Sequence, residues 1–429
     1  MNTLTASPTD FRHVTLDSGL RVVADIDSRG YSAALGYFTR AGARDECDRE
    51  SGLSHFLEHM MFKGTARRSA ADVNRELDEL GGQSNAYTSE EQTVYYAAVL
   101  PKYQHRLIDL LSDMLSPSLR EDDFETERQV ILEEIAKYED QPPFGAFERS
   151  MECHFGPRGL GRRILGTRSS IEAMTAADMR AYFQRRYRPE NIVLAASGNV
   201  DFDALVEQAA QATESWSDRA TGQSNTAFED AQGLPVDISL ERRLRAPDAS
   251  QAYRVTIGPS IGMASDDRYA MRMLCAILGD DGGSRLFWDL IDTGRAEVAT
   301  LWPQEFTDCG SLLTYLVCGP DQMDSNVRLM NDALQRVATE GVEPDELQQA
   351  VNKTVAGCIM QSERPSGRLF GLGSRWLCCN EHVSVDALLT AYRDVSVDDV
   401  KRVAQEYLTR DVTEVIASSG DETELSESA

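Results

Sequence analysis

His55 and His59 stand four residues apart in Ser54-His55-Phe56-Leu57-Glu58-His59-Met60-Met61-Phe62, a stretch that is otherwise mostly apolar. On a helix, residues i and i+4 lie on one face, one turn apart. Two imidazoles so placed can grip one metal ion. Glu58 follows His55 by three residues and adjoins His59, so its carboxylate can lean toward the same ion. Leu53, Phe56, Leu57, Met60 and Met61 make the helix apolar almost all round, which predicts burial. Two His and a Glu inside a buried helix are costly unless something pairs with them, and a metal would do so. The fold must therefore bury this helix and bring a third ligand to it from elsewhere. Zinc suits the donors: two His ligands help to lower the pKa of a bound water to roughly 7, and a neighbouring Glu can pass its proton to a leaving amine. The order H-x-x-E-H reverses the more familiar H-E-x-x-H.

A chain of 429 residues is long enough for two or three domains with real cores, and 41% hydrophobic residues fit a globular protein. A net charge of −27 argues against nucleic acid as a partner, which needs basic surface. An acidic surface can attract basic peptides, although its main effect is on solubility. The start, MNTLTASPTDFRHVTLDSG, lacks the basic and apolar regions of a signal peptide. With no run of 18 apolar residues, no membrane span is expected, and the expected location is cytoplasmic. Eight cysteines without a C-x-x-C pair read as reduced thiols.

Along the chain, His13–Leu16 and Leu20–Ala24 around Asp17-Ser18-Gly19 read as a hairpin, and Ser32–Phe38 as an apolar central strand. Gly64 is expected to end the His helix. Ser69 with Asp72 fits an acidic capping box, and Gly81-Gly82 stops the helix that follows. Gln83–Thr88 and Thr93–Leu100 read as strands, and 104–115 as an amphipathic helix. Ser118 with Glu121 suggests another capping box. In the helix after it, Glu127 and Glu134 are seven apart and share a face, flanked by Ile131 and Tyr138. Such a stripe suits either solvent or a metal site. After residue 140 a connection containing Pro and Gly is expected.

Thr175 then caps a helix to Tyr187, and Asn191–Gly198 is a strand. Near the end Ser396 caps a helix to Leu408, and Val412–Gly420 is a strand. Tyr269–Gly279 echoes the His helix without its His or Glu. These repeats indicate a duplication into two similar α+β halves, only the first holding metal. The division is 1–216 for the zinc-binding half, 217–235 for a linker, 236–420 for the second half and 421–429 for a polar tail.

From Val14 to about Gly420 the chain resembles the pitrilysin-type (inverted zincin) zinc peptidases. It is similar to the bacterial members related to the catalytic subunit of mitochondrial processing peptidase. The resemblance rests on Gly52–Thr65, Glu127–Ile135, Ile164-Leu-Gly-Thr167 and Tyr187-Arg-Pro-Glu-Asn191. It implies an α+β fold of two homologous α/β-sandwich halves with mainly antiparallel sheets, enclosing a chamber. It implies Zn2+ on His55, His59 and Glu134, with Glu58 as general base and Glu127 as the carboxylate orienting a ligand His. Glu133 is the rival of Glu134, but the seven-residue spacing from Glu127 favours Glu134. It assigns substrate binding to Asn85, Ala86, Tyr87 and Thr88, a strand to which an unfolded peptide would add through its main chain. It also implies metalloendopeptidase activity in a homodimer, or in a heterodimer with a related subunit.

The chain departs from this pattern in its second half. Many relatives carry an Arg and, seven residues on, a Tyr after a Ser-Arg-Leu-Phe phrase, and these reach the substrate carbonyl. Here Ser284-Arg285-Leu286-Phe287 is present, but the two positions hold Ile291 and Val298, which cannot donate. A partner subunit could supply those donors, Arg285 and Arg295 being the nearby cations. The family also contains non-catalytic core subunits that lose the zinc ligands, whereas this chain keeps them.

Overall fold

The computed structural model describes residues 9–139, 141–219, 241–245 and 249–419. The chain opens with β1 (Asp10–Thr15), β2 (Arg21–Ile26), β3 (Ala33–Thr39), α1 (Leu53–Met60), α2 (Ala70–Leu80), β4 (Gln83–Thr88) and β5 (Thr93–Val99). Then come α3 (Gln104–Met114), α4 (Glu121–Glu139), α5 (Pro142–Phe155), α6 (Arg168–Ala173), α7 (Ala176–Arg186), β6 (Ile192–Gly198) and α8 (Phe202–Ala212). The remainder runs β7 (Glu241–Arg245), β8 (Ala252–Ser260), α9 (Arg268–Gly279), β9 (Val298–Glu305), β10 (Gly310–Cys318), α10 (Met323–Glu340) and α11 (Pro344–Ser362). It ends with α12 (Pro365–Cys379), α13 (Val385–Arg393), α14 (Val397–Tyr407) and β11 (Thr413–Ser418). Beyond Arg219 the expected linker at 217–235 lies outside the described residues, as does the expected tail at 421–429.

Two compact units result. The first comprises the described residues of Met1–Ile135, Arg162–Ala231 and Ile359–Val385. Its sheet has the order β1-β2-β6-β3-β5-β4, with β2 and β6 parallel and the other pairs antiparallel. The apolar run of β3 has a simple cause: both faces of the strand are covered. Leu35 and Tyr37 join the large core that also holds Leu53, Phe56 and Leu57 of α1. Ala34 and Phe38 face Leu369, Leu372 and Trp376 of α12 on the other side. Gly373 lets α12 come that close, since a Cβ there would sit 2.3 Å from the Phe38 ring.

The second unit comprises the described residues of Ala136–Gly161, Gln232–Cys358 and Asp386–Ala429. Its sheet has the order β7-β11-β8-β10-β9, with β11 and β7 parallel and the rest antiparallel. That is the order β2-β6-β3-β5-β4 repeated with its parallel pair in the same place, as a duplication requires. One face is covered by α5, whose Ala146, Met151 and Phe155 pack on Val255, Ile257, Leu313 and Val415. The halves thus exchange a helix: α5 from early in the chain covers the second sheet, and α12 from late in the chain covers the first. A linear division at 216 and 236 does not capture that exchange.

Ser69, Thr175 and Ser396 cap their helices as expected, each side chain accepting from the amide three residues on, at 3.2, 3.2 and 3.1 Å. Three expectations need correction. Ser118 is not the N-cap of α4: the helix begins at Glu121, and Leu119 has φ +44°, outside the helical region. The connection expected after residue 140 is the helix α5, because Pro142 and Pro143 stand in a first turn, where proline is tolerated. Helix α1 ends at Met60, short of Gly64, which at φ +102° turns the chain toward Ser69. No described helix is long and apolar enough to cross a membrane.

Candidate metal centre

Leu53, Phe56, Leu57 and Met60 bury the apolar side of α1 in the first core, so the helix is interior as its sequence requires. Gly52 begins it at φ +92°, where a Cβ would lie 2.5 Å from the Leu165 carbonyl oxygen, so only glycine fits. Having no side chain, Gly52 cannot cap the helix. The amides of Gly52 and Ser54 instead donate to the Glu46 carboxylate, at 2.8 and 2.6 Å. Burial pushes the Glu46 carboxyl up to about 8, against the pull of those amides, the Ser54 hydroxyl and Arg162. The Ser54 hydroxyl also shares a buried hydrogen bond of 2.6 Å with the Tyr182 hydroxyl on α7.

Helix α4 is docked on α1 by Phe124 stacked on Phe56, ring centres 4.6 Å apart and planes within 13°. This fixes the rotation of α4 and turns its Glu127 and Glu134 toward the imidazoles. Glu134 Oε2 lies 3.8 Å from His55 Nε2 and 3.7 Å from His59 Nε2. Among the described residues, His55, His59 and Glu134 are the one group of three with ligand atoms all within 4.8 Å of one another. Both separations exceed hydrogen-bond length, so the three groups do not satisfy each other directly. A tetrahedral zinc about 2.0–2.1 Å from each donor would set them roughly 3.4 Å apart, which asks for a contraction of only a few tenths of an ångström. The residues therefore fit the ion. Burial and the nearby His59 push the His55 imidazole down to about 3, so it is neutral and has a lone pair to offer.

Glu127 is buried and 3.2 Å from His59 Nδ1, and its other oxygen pairs with Lys63. A carboxylate on Nδ1 leaves Nε2, the atom facing Glu134, as the free donor. Among the described residues, His55 Nδ1 has no such partner. Glu133 is exposed, whereas Glu134 is half-buried and in reach of both imidazoles. Glu58 is held by Thr88, whose hydroxyl donates to Oε2 at 2.6 Å. Thr93 Oγ1, which gives its own proton to the Ala41 carbonyl, is a second acceptor within reach of the Thr88 hydroxyl, but at 3.3 Å it is the more distant one, and the Thr88 proton goes to Glu58. Burial and the Glu134 charge raise the Glu58 carboxyl above the usual range, and Thr88 and His59 oppose them.

Asn85, Ala86, Tyr87 and Thr88 all lie on β4, which among the described residues is an edge strand paired with β5 alone and runs beside α1. The Asn85 side chain accepts from the Ala86 amide at 2.9 Å. In the second unit, Ile291 ends a π-helical turn at Phe287–Ile291 and Val298 opens β9. Arg285 is engaged by Glu346 at 2.8 Å through two nitrogens. Sequence reasoning missed Lys63, Glu46 and the Thr88–Glu58 contact. Lys63 follows His59 by four residues, a spacing that could have flagged it; Glu46 and Thr88 reach α1 only through the tertiary fold.

Residues 21–168 match the family model described as insulinase (peptidase family M16), and residues 173–354 match the one described as the peptidase M16 inactive domain. The chain is 34% identical to an uncharacterized zinc protease of Streptomyces coelicolor over 410 residues, 93% of this chain and 87% of the relative. It is 30% identical to the mitochondrial-processing peptidase subunit beta of Lentinula edodes, over 92% of this chain and 86% of that one. The solved structure of a protease from Helicobacter pylori superposes with a TM-score of 0.86 at 22% identity, covering 96% of this chain and all of that one; at that identity the likeness speaks for the fold. The second model spans α9, which lacks the His and Glu of α1, in line with its description. With both models matched in order, and relatives of this identity aligned over most of their length, the chain belongs to peptidase family M16.

Proposed function

We propose that this chain is a zinc metalloendopeptidase that hydrolyses unfolded peptides. The convergence of His55, His59 and Glu134, with Glu58 on the same helix, carries this reading. Zinc held by those three side chains would supply Lewis acidity toward a peptide carbonyl. Glu58 takes a proton from the attacking water as the new C–O bond forms, then delivers it to the amine as the C–N bond breaks. Thr88 holds one Glu58 oxygen, leaving the other for the water. The free edge of β4 takes the substrate as an added strand at Asn85–Thr88, through main-chain hydrogen bonds that are largely indifferent to sequence.

Zinc removal tests this. Purified chain is expected to cut an unstructured peptide, to lose that activity on chelation and to regain it with stoichiometric Zn2+; undiminished cleavage by the chelated chain would refute the reading. Glu127→Gln is expected to weaken zinc binding about 10- to 100-fold, as loss of an outer-shell carboxylate does. Competition with a chromophoric chelator measures it.

Ile291 and Val298 support a second reading, in which the chain is the catalytic member of a hetero-oligomer and a related subunit brings the missing donors. One donor to the developing oxyanion is worth about 10²–10³ in rate. A gain of that size on mixing with a related subunit would favour this reading. Full activity of the chain alone, as a monomer or homodimer, would exclude it.

A further inference from the structure

The stretch of α1 that carries His55 is short and has no cap of its own. The helix has eight residues, little more than two turns, so its ends decide whether it forms. His55 is its third residue, in the turn whose amides are held by Glu46. Glu46 lies outside the helix, at 3% exposure, with each of its two oxygens on a different amide. From the other side, Tyr182 holds the same turn through the Ser54 hydroxyl.

We propose that Glu46 is a positioning residue for the metal centre: by holding the amides of Gly52 and Ser54 it fixes the first turn of α1, and so sets the zinc affinity of His55 and its partners. It acts through the backbone and touches neither ion nor substrate. The proposal rests on the zinc reading above.

Glu46→Gln in the full-length chain tests it. The glutamine keeps the shape but turns one accepting oxygen into an NH2 that faces an N–H donor. Zinc affinity, measured by chelator competition on folded protein, is expected to fall about 10- to 100-fold. The visible absorption of the Co2+-substituted protein is expected to change, because the ligand geometry relaxes. Glu46→Asp, with the same two oxygens on a shorter reach, should fall between. A merely structural role would lower the melting temperature while leaving zinc affinity and the Co2+ spectrum as they were, and that result overturns the proposal. If Glu46→Gln does not fold, Glu46→Asp is judged on the same two readouts. If neither folds, amide exchange in the natural chain decides: Gly52 and Ser54 must be as protected as the helix interior, and free exchange overturns the proposal. Failure of the natural chain to bind zinc at all would overturn the underlying reading instead.

Discussion

Glu58→Gln is expected to lower kcat for an unstructured peptide by about 10³, at the centre of the range for a lost general base, with zinc content unchanged. Glutamine has the same shape and its carbonyl oxygen can still accept from Thr88, which now holds Glu58 Oε2 at 2.6 Å. The side chain therefore stays in place and only its proton affinity is lost. Glu58 is not among the three groups whose ligand atoms converge, so the metal should remain. Two measurements check this: kcat at saturating peptide, and zinc per chain by elemental analysis. A variant within tenfold of the natural chain would mean that another group moves the proton. A variant that loses zinc would mean that Glu58 is part of the ligand set. Thr88 sharpens the expectation, because the residue 58 oxygen at 2.6 Å is a nearer acceptor for its proton than Thr93 Oγ1 at 3.3 Å.

The local rules that governed the chain were readable wherever one residue acts on its neighbours. The i, i+4 histidines, the capping boxes at Ser69, Thr175 and Ser396, and the seven-residue spacing of Glu127 and Glu134 all act within a few turns of helix. The duplication was readable because the repeated strand order follows from repeated sequence. What escaped depends on partners distant in the chain. Pro142 and Pro143 look like a break until the chain after them is seen to pack on Val255 and Ile257. The exchange of α5 and α12 leaves no local mark, since an amphipathic helix does not record which sheet it covers. Ser118 fails as a cap because Leu119 takes a left-handed backbone, a feature usual for glycine and hidden at a leucine. Glu46 escaped because a helix that begins with glycine borrows its cap from six residues upstream.

Glu134→Gln and Glu133→Gln, compared side by side, are expected to differ sharply although the residues are adjacent. Successive helical residues point about 100° apart, so only one of them can face α1. Glu134 does: its Oε2 is 3.7 and 3.8 Å from the two imidazole nitrogens, while Glu133 is exposed. An amide oxygen is a far weaker zinc donor than a carboxylate, and its neutral charge leaves the divalent ion less compensated. Glu134→Gln should therefore weaken zinc binding by more than the roughly 100-fold upper bound for an outer-shell change, and activity at limiting zinc should fall with it. Glu133→Gln should leave both within about twofold, as exposed substitutions usually do. The Phe56–Phe124 stack makes the comparison demanding, because it fixes the rotation of α4 independently of either carboxylate. Equal zinc affinity in the two variants would place the third ligand elsewhere. A loss confined to Glu133→Gln would show α4 rotated by one residue from the arrangement that the stack dictates.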